Sequence, residues 1–92
     1  MVLVESAPTS QGWDCDVEIV DGTRRSRHNV RVSREDLERW GAPGERDPDA
    51  LVQRAFDFLL RRESPEQILK SFQLGEVSRY FPEFDAVMTK RS

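Results

Sequence analysis

The feature that most constrains this chain is a run of large apolar residues between positions 48 and 63. Asp47 is suited to cap a helix, and Pro48 is suited to its first position, where no N–H is needed. At about 100° per residue, the apolar side chains cover roughly 200°, wider than the ~100° stripe of an ordinary surface helix. The sequence therefore predicts a central helix that is covered on both flanks. The arc consists of Leu51, Val52, Ala55, Phe56, Phe58, Leu59 and Leu60.

The segment before this helix alternates between apolar and polar residues, which predicts a β-hairpin. The Asp21-Gly22 dipeptide favours a tight turn between its strands. A loop of Asp21-Gly22 pairs Glu18 with Arg25, whereas a loop that ends at Arg24 pairs Glu18 with Arg27 and keeps the same faces. Both registers set the arginine run opposite carboxylates. The inner face would carry Trp13, Cys15, Val17, Ile19, Ser26, His28, Val30 and Val32.

Serine caps and their partners predict further short helices. Ser33, with Asp36 three residues on, approximates a capping box for a helix that ends near Trp40. Ser64 with Gln67 predicts another, and a last short helix must stop near Pro82. The inward residues of these last two helices would be Ile68, Leu69, Phe72, Val77, Tyr80 and Phe81.

These elements together predict a small α+β domain. A β-hairpin, extended to three strands if Val2 to Glu5 joins it, would pack on the central helix, with short C-terminal helices over the other flank. We expect residues 13–84 to form the domain, residues 1–12 to be a mobile segment and residues 85–92 to be a frayed tail. A chain of 92 residues has room for one modest core.

Composition narrows the classes of partner. The net charge is −3, without the basic excess typical of proteins that bind nucleic acid mainly through phosphates. The opening MVLVE lacks the pattern of a signal peptide or a membrane span, so no membrane partner is expected. With a single cysteine, Cys15, no internal disulfide can form, which fits a cytoplasmic location best.

Catalytic and metal-binding motifs are missing from the sequence. It has no glycine-rich phosphate loop, no G-x-S-x-G and no C-x-x-C, and its one His and one Cys make a zinc site improbable. Cys15 and His28 are cross-strand neighbours in one register, the arrangement of a cysteine nucleophile, but both belong to the inner face, where Cys is usually a small apolar residue. We therefore expect a protein that is not an enzyme and has no cofactor.

The leading functional hypothesis is an accessory or protein–protein interaction module. Its motivation is a group of C-terminal aromatic residues that a chain this small does not fully bury: Tyr80, Phe81 and Phe84. Trp40 is expected to fold back onto the core, with partner docking as the alternative. The free edges of the hairpin are a second docking site, by strand addition or homodimerisation. The identity of the protein partner does not follow from the sequence.

A helix-turn-helix DNA-binding regulator is the alternative hypothesis, built on residues 65–81. Its second helix would present Glu76, Ser78 and Arg79 to the bases. Phosphate contacts would come from Arg61, Arg62 and Lys70. The helix is short for a major groove, because Pro82 ends it after about two turns.

Two stretches of the chain carry a family resemblance: the hairpin with RHNVRV, and the run LVQRAFDFLLRRESPEQILKSFQLGEVSRYFPEF. From about Trp13 to Phe84, the chain resembles a family of small uncharacterised bacterial proteins with a hairpin, a short helix and this apolar pattern. The resemblance implies the fold. It implies no functional residue, since the family has no assigned activity.

Overall fold

A computed structural model describes residues 1–89 as an α+β fold with one four-stranded sheet. The strand order is β1-β2-β3-β4, in which β1, β2 and β3 are antiparallel neighbours and β4 runs parallel to β3. The strands are β1 Val2–Pro8, β2 Gly12–Asp21, β3 Arg24–Ser33 and β4 Ser71–Gln73. The α-helices are α1 Arg34–Trp40, α2 Asp49–Leu60, α3 Val77–Tyr80 and α4 Phe84–Thr89.

The predicted hairpin is confirmed, and its register is the one that pairs Glu18 with Arg27. Asp21 pairs with Arg24, and Gly22 takes the left-handed conformation at φ 63°, which glycine adopts without strain. The Glu18 carboxylate lies 3.6 Å from the Arg25 guanidinium and 3.7 Å from that of Arg27. The arginine run is therefore paired with carboxylates on the outer face, as both registers predict.

The N-terminal residues form a longer strand than the sequence indicates. We expected residues 1–12 to be mobile beyond a short strand, but β1 pairs with β2 from Val2 through Pro8. Contacts with α2 help to fix it: Gln53 Nε2 donates to the Val2 carbonyl at 2.7 Å, and the Ser6 hydroxyl donates to Asp49 at 2.7 Å. Residues at both the start and the later part of this strand are thus bound to α2 as well as to the sheet.

Helix α2 supplies six of the 18 buried apolar residues in the described part of the chain, more than any other element. Asp47 accepts a hydrogen bond from the N–H of Asp49 at 3.1 Å, which satisfies a free donor of the first turn. The helix contacts β1 on one flank and α4 on another, so two elements cover its apolar surface. Its nearest strand is β1, which lies at the edge of the sheet, so the helix is not clearly central. Its buried residues are Leu51, Val52, Ala55, Phe56, Phe58 and Leu59.

The C-terminal third departs most from the prediction. The helix expected from Ser64 is only a 3-10 turn, Pro65–Gln67, and the chain then extends into β4. A second 3-10 turn, Leu74–Glu76, leads into α3. The tail expected to fray contains α4, in which Met88 is buried, and residues 90–92 lie outside the described part of the chain. In residues 1–89, no helix combines the length and apolar character that crossing a bilayer requires.

The helix predicted between Ser33 and Trp40 is confirmed together with its capping box. The Ser33 hydroxyl accepts from the N–H of Asp36 at 3.0 Å, and the Asp36 carboxylate accepts from the N–H of Ser33 at 3.1 Å. This reciprocal pair starts α1 directly after β3. The chain therefore leaves the sheet without a loop and carries Trp40 back into the core.

Candidate functional site

An apolar groove of about 380 Å³ lies between the C-terminal end of α2, the first 3-10 turn, β4 and α3; a larger but more polar depression of about 560 Å³ lies over β1, β2 and β3. We call the apolar groove the α3 groove. Its lining residues are Leu59, Glu63, Gln67, Ile68, Leu69, Phe72, Glu76, Val77, Tyr80 and Phe81. Most of this surface is apolar, and it is built from segments that are close in sequence.

Two reciprocal caps shape the groove. The N–H of Ser64 donates to Gln67 Oε1 at 2.9 Å and closes the first 3-10 turn. The N–H of Gln73 donates to Glu76 Oε2 at 3.0 Å and starts the second. Between these caps the chain forms β4, Ser71–Gln73, in which successive side chains point to opposite faces. Phe72 therefore turns into the core while its neighbours in β4 stay exposed.

The groove has a buried floor and an exposed apolar rim. Ile68, Phe72 and Val77 are buried, whereas Leu69 is 52% exposed and Tyr80 is 69% exposed. Phe81 is half-buried and meets the ring of Phe58 edge-on, with 5.8 Å between centroids. An exposed tyrosine on such a rim is the kind of side chain that protein interfaces use as an anchor.

The four residues predicted to contact a partner separate into two pairs. Tyr80 and Phe81 line the groove. Trp40 and Phe84 are 2% and 0% exposed and pack edge to face, 5.2 Å between ring centroids, so Trp40 folds back onto the core as expected and neither side chain is accessible as a docking anchor. The reason is α4, because its Asp85 accepts a hydrogen bond from the indole N–H of Trp40 at 2.8 Å and holds the ring inward.

The helix-turn-helix arrangement is not formed in residues 65–81. Its first helix is replaced by a 3-10 turn and β4, and its second, α3, has only four residues. Ile68 and Phe72 are spaced for one face of a helix and also for one face of a strand, and short apolar runs do not distinguish the two. Pairing with β3 selects the strand.

Of the residues predicted to contact DNA, Ser78, Glu76 and Arg62 make hydrogen bonds within the protein. Ser78 donates to the Gly75 carbonyl at 2.8 Å, and Glu76 caps its own turn. Arg62 donates to Glu83 at 3.3 Å and lies over the ring of Phe58, 3.6 Å from its centroid. Arg61, Lys70 and Arg79 are exposed.

His28 joins the sheet to the groove. Its Nδ1 lies 2.8 Å from the Leu69 carbonyl, and its Nε2 lies 3.0 Å from the Ser26 hydroxyl. A carbonyl can only accept, so Nδ1 carries the proton, and Nε2 accepts from Ser26 when the ring is neutral. Burial lowers the pKa of His28 and favours this neutral form. The imidazole is therefore a structural link between β3 and Leu69.

The thiol of Cys15 does not face this imidazole. In the observed register Cys15 lies opposite Val30, and His28 lies opposite Val17. Burial raises the pKa of Cys15 to about 12, with a further contribution from the charge of Asp49. A neutral thiol without a base beside it is not arranged for nucleophilic attack. Nowhere in residues 1–89 do three His, Cys, Asp or Glu side chains converge as a metal site requires.

The sequence reasoning missed Leu69 as a surface residue, because it placed this side chain on the inward face of a helix. The only available signal was the direct neighbour Ile68, since adjacent residues of an extended chain point to opposite sides.

No protein-family model, curated protein or solved structure matches this chain.

Proposed function

We propose that the protein is a non-enzymatic cytoplasmic interaction module that docks a protein partner in the α3 groove. The observation that supports this proposal is the apolar rim, in which Tyr80 and Leu69 are 69% and 52% exposed beside a concave apolar floor. Contiguous exposed apolar surface of this kind marks interaction sites in small proteins. Tyr80 is also of the residue type that is enriched among interface anchors.

The chain offers a matched pair of substitutions for testing this proposal. Leu69 lies on the rim of the groove, and Leu3 lies on β1 at the opposite edge of the sheet, with 52% and 46% of their surfaces exposed. A glutamate at either position adds one charge to an exposed apolar site. Because neither side chain is in the core, both variants should keep the thermal stability of the parent to within a small change.

The experiment is quantitative affinity capture from a cell extract with the parent, Leu69→Glu and Leu3→Glu proteins. We expect proteins that the parent and Leu3→Glu retain equally and that Leu69→Glu loses. Retention of the same proteins by all three would refute the groove as the docking site. Loss with Leu3→Glu alone would instead place the interface on the β1 edge, and sedimentation of the purified protein would show whether a second copy occupies it.

A further inference from the structure

The charged residues that line the α3 groove have one sign. Glu63 and Glu76 are both acidic, and no Lys or Arg is among the lining residues. Within the described part of the chain, neither carboxylate lies within ion-pair distance of a cation. Glu76 accepts only the backbone N–H of Gln73. The groove therefore combines an apolar surface with two carboxylates that have no ion-pair partner within 4 Å.

A second copy of the chain fits this groove poorly. In a two-fold dimer the same patch meets itself, so residue i of one protomer contacts residue j of the other and the reverse. Such a contact would bring Glu63 and Glu76 of both protomers into one apolar interface, with no Lys or Arg among the groove-lining residues to pair with them. Like charges across an interface suppress association, so the groove favours a different, positively charged partner.

An extended segment that adds to β4 also fits poorly. Strand addition draws its affinity from a row of free backbone groups. Strand β4 has three residues, and the N–H of Gln73 is already bound to Glu76. A helix needs no backbone partners, and it presents apolar side chains on one face at spacings of three and four residues.

We infer that the α3 groove binds an amphipathic helix of the partner, whose apolar anchors contact Phe72, Leu69 and Tyr80 and whose flanking Lys or Arg residues pair with Glu63 and Glu76. This inference rests on the proposed function and adds the chemistry of the partner. A small apolar molecule is less suited, because the exposed side chains of Leu69 and Tyr80 continue the apolar surface outside the cavity.

The test uses two synthetic helical peptides with the same leucine face, one with lysine and one with glutamate at the remaining positions. Binding is followed by fluorescence anisotropy at low and at physiological salt, and the contacted residues are identified by amide chemical shifts. We expect the lysine peptide to bind and to change the chemical shifts of the groove amides. Its affinity should fall with added salt. Equal binding of the two peptides, or of neither, would overturn the inference.

Charge-matched variants identify the acidic residues responsible. The double variant Glu63→Gln with Glu76→Gln should lower the affinity for the lysine peptide by about threefold to tenfold, as expected for the loss of two exposed ion pairs. Glu5→Gln with Asp57→Asn makes the same change in net charge away from the groove and should have no effect. Glu63→Gln alone leaves the Gln73 cap intact and should give part of the loss.

Equal affinity of both double variants would contradict the assigned charges, whatever the affinity of the parent. These outcomes are separable from the proposed function, which depends on the partners lost by Leu69→Glu. Partner loss with Leu69→Glu but without discrimination between the peptides would leave the docking site in place and refute the basic helix as its occupant.

Discussion

The ring of His28 donates from Nδ1 to the carbonyl of Leu69, 2.8 Å away and 41 residues further along the chain. One end of this bond lies in the buried face of β3, and the other is the backbone of a residue on the rim of the α3 groove. The position of the rim therefore depends on a titratable side chain in the core.

This link predicts a loss of stability in mild acid. The pKa of His28 is lowered from 6.5 by burial, so below that value the unfolded chain takes up a proton that the folded protein resists. The contribution of neutral His28 to the free energy of unfolding is complete above pH 6.5. It falls as the pH drops, by at most about 1.4 kcal/mol per pH unit. Urea unfolding at a series of pH values between neutral pH and about pH 5.5 measures this slope.

His28→Asn is the control, because its amide can still donate to a carbonyl but does not titrate. We expect this variant to be less stable and to lose the slope, since the chain has only 1 histidine. A parental slope in the variant would show that another group carries the pH dependence.

Burial of Cys15 predicts a thiol that reacts only when the protein unfolds. Its pKa is raised to about 12 from 9.0, so stability should fall as the pH rises above 9.0, where the unfolded thiol ionises and the folded one does not. Reaction with a chromogenic disulfide should be slow in buffer and accelerate with the unfolded fraction in urea. Rapid stoichiometric reaction of the folded protein would contradict the assigned burial.

The core position of Phe56 predicts a large cost for its truncation. Its ring lies 5.6 Å from that of His28 and 6.1 Å from that of Phe72, so it joins α2 to β3 and β4. Phe56→Ala should cost about 3–5 kcal/mol, and Leu59→Ala about 2–5 kcal/mol, in chemical denaturation. Asp57→Ala, on the exposed side of the same helix, should stay within about 0.5 kcal/mol of the parent. A parental midpoint for Phe56→Ala would refute this packing.

The hydrogen bond from Trp40 to Asp85 predicts a change in tryptophan fluorescence when Asp85 is replaced. The carboxylate accepts from Trp40 Nε1 at 2.8 Å and from Arg39 Nε at 3.0 Å, and these bonds, the first above all, lower the pKa of Asp85. Asp85→Ala should leave the buried indole N–H without its acceptor and shift tryptophan emission to the red, measured with Trp13→Phe in the background. Asp85→Asn keeps an oxygen acceptor and should shift less. Identical spectra for the three proteins would contradict this hydrogen bond.

Local patterns were sufficient for the elements whose partners are near in sequence. The alternation around Asp21-Gly22 identified the hairpin, and the Ser33 cap located α1. The register stayed open between two pairings of Glu18, because a shift of two residues keeps every side chain on its face. The register depends on the conformation of the loop at Gly22, and the alternation of apolar and polar residues carries no information about that conformation.

Long-range pairing explains what local patterns could not predict. Strand β4 exists because Asn29, Val30 and Arg31 bind a segment about forty positions away, and nothing within Ser71–Gln73 distinguishes it from a helix. The floor of the groove follows from that pairing, since it turns Phe72 inward. The burial of Phe84 has a related cause, because Trp40 and Phe84 cover each other only when α4 closes on α1, a contact between segments far apart in sequence.

The separation of β4 from β3 in sequence also sets an order of assembly. The hairpin closes a turn of two residues between paired Asp21 and Arg24, whereas β4 must close a loop that contains all of α1 and α2. Loop closure carries an entropic cost that grows with length, so we expect the hairpin to form before β4 joins the sheet. If a helix binds the groove as proposed, its contact with Phe72 of β4 would also stabilise the pairing of β4 with β3.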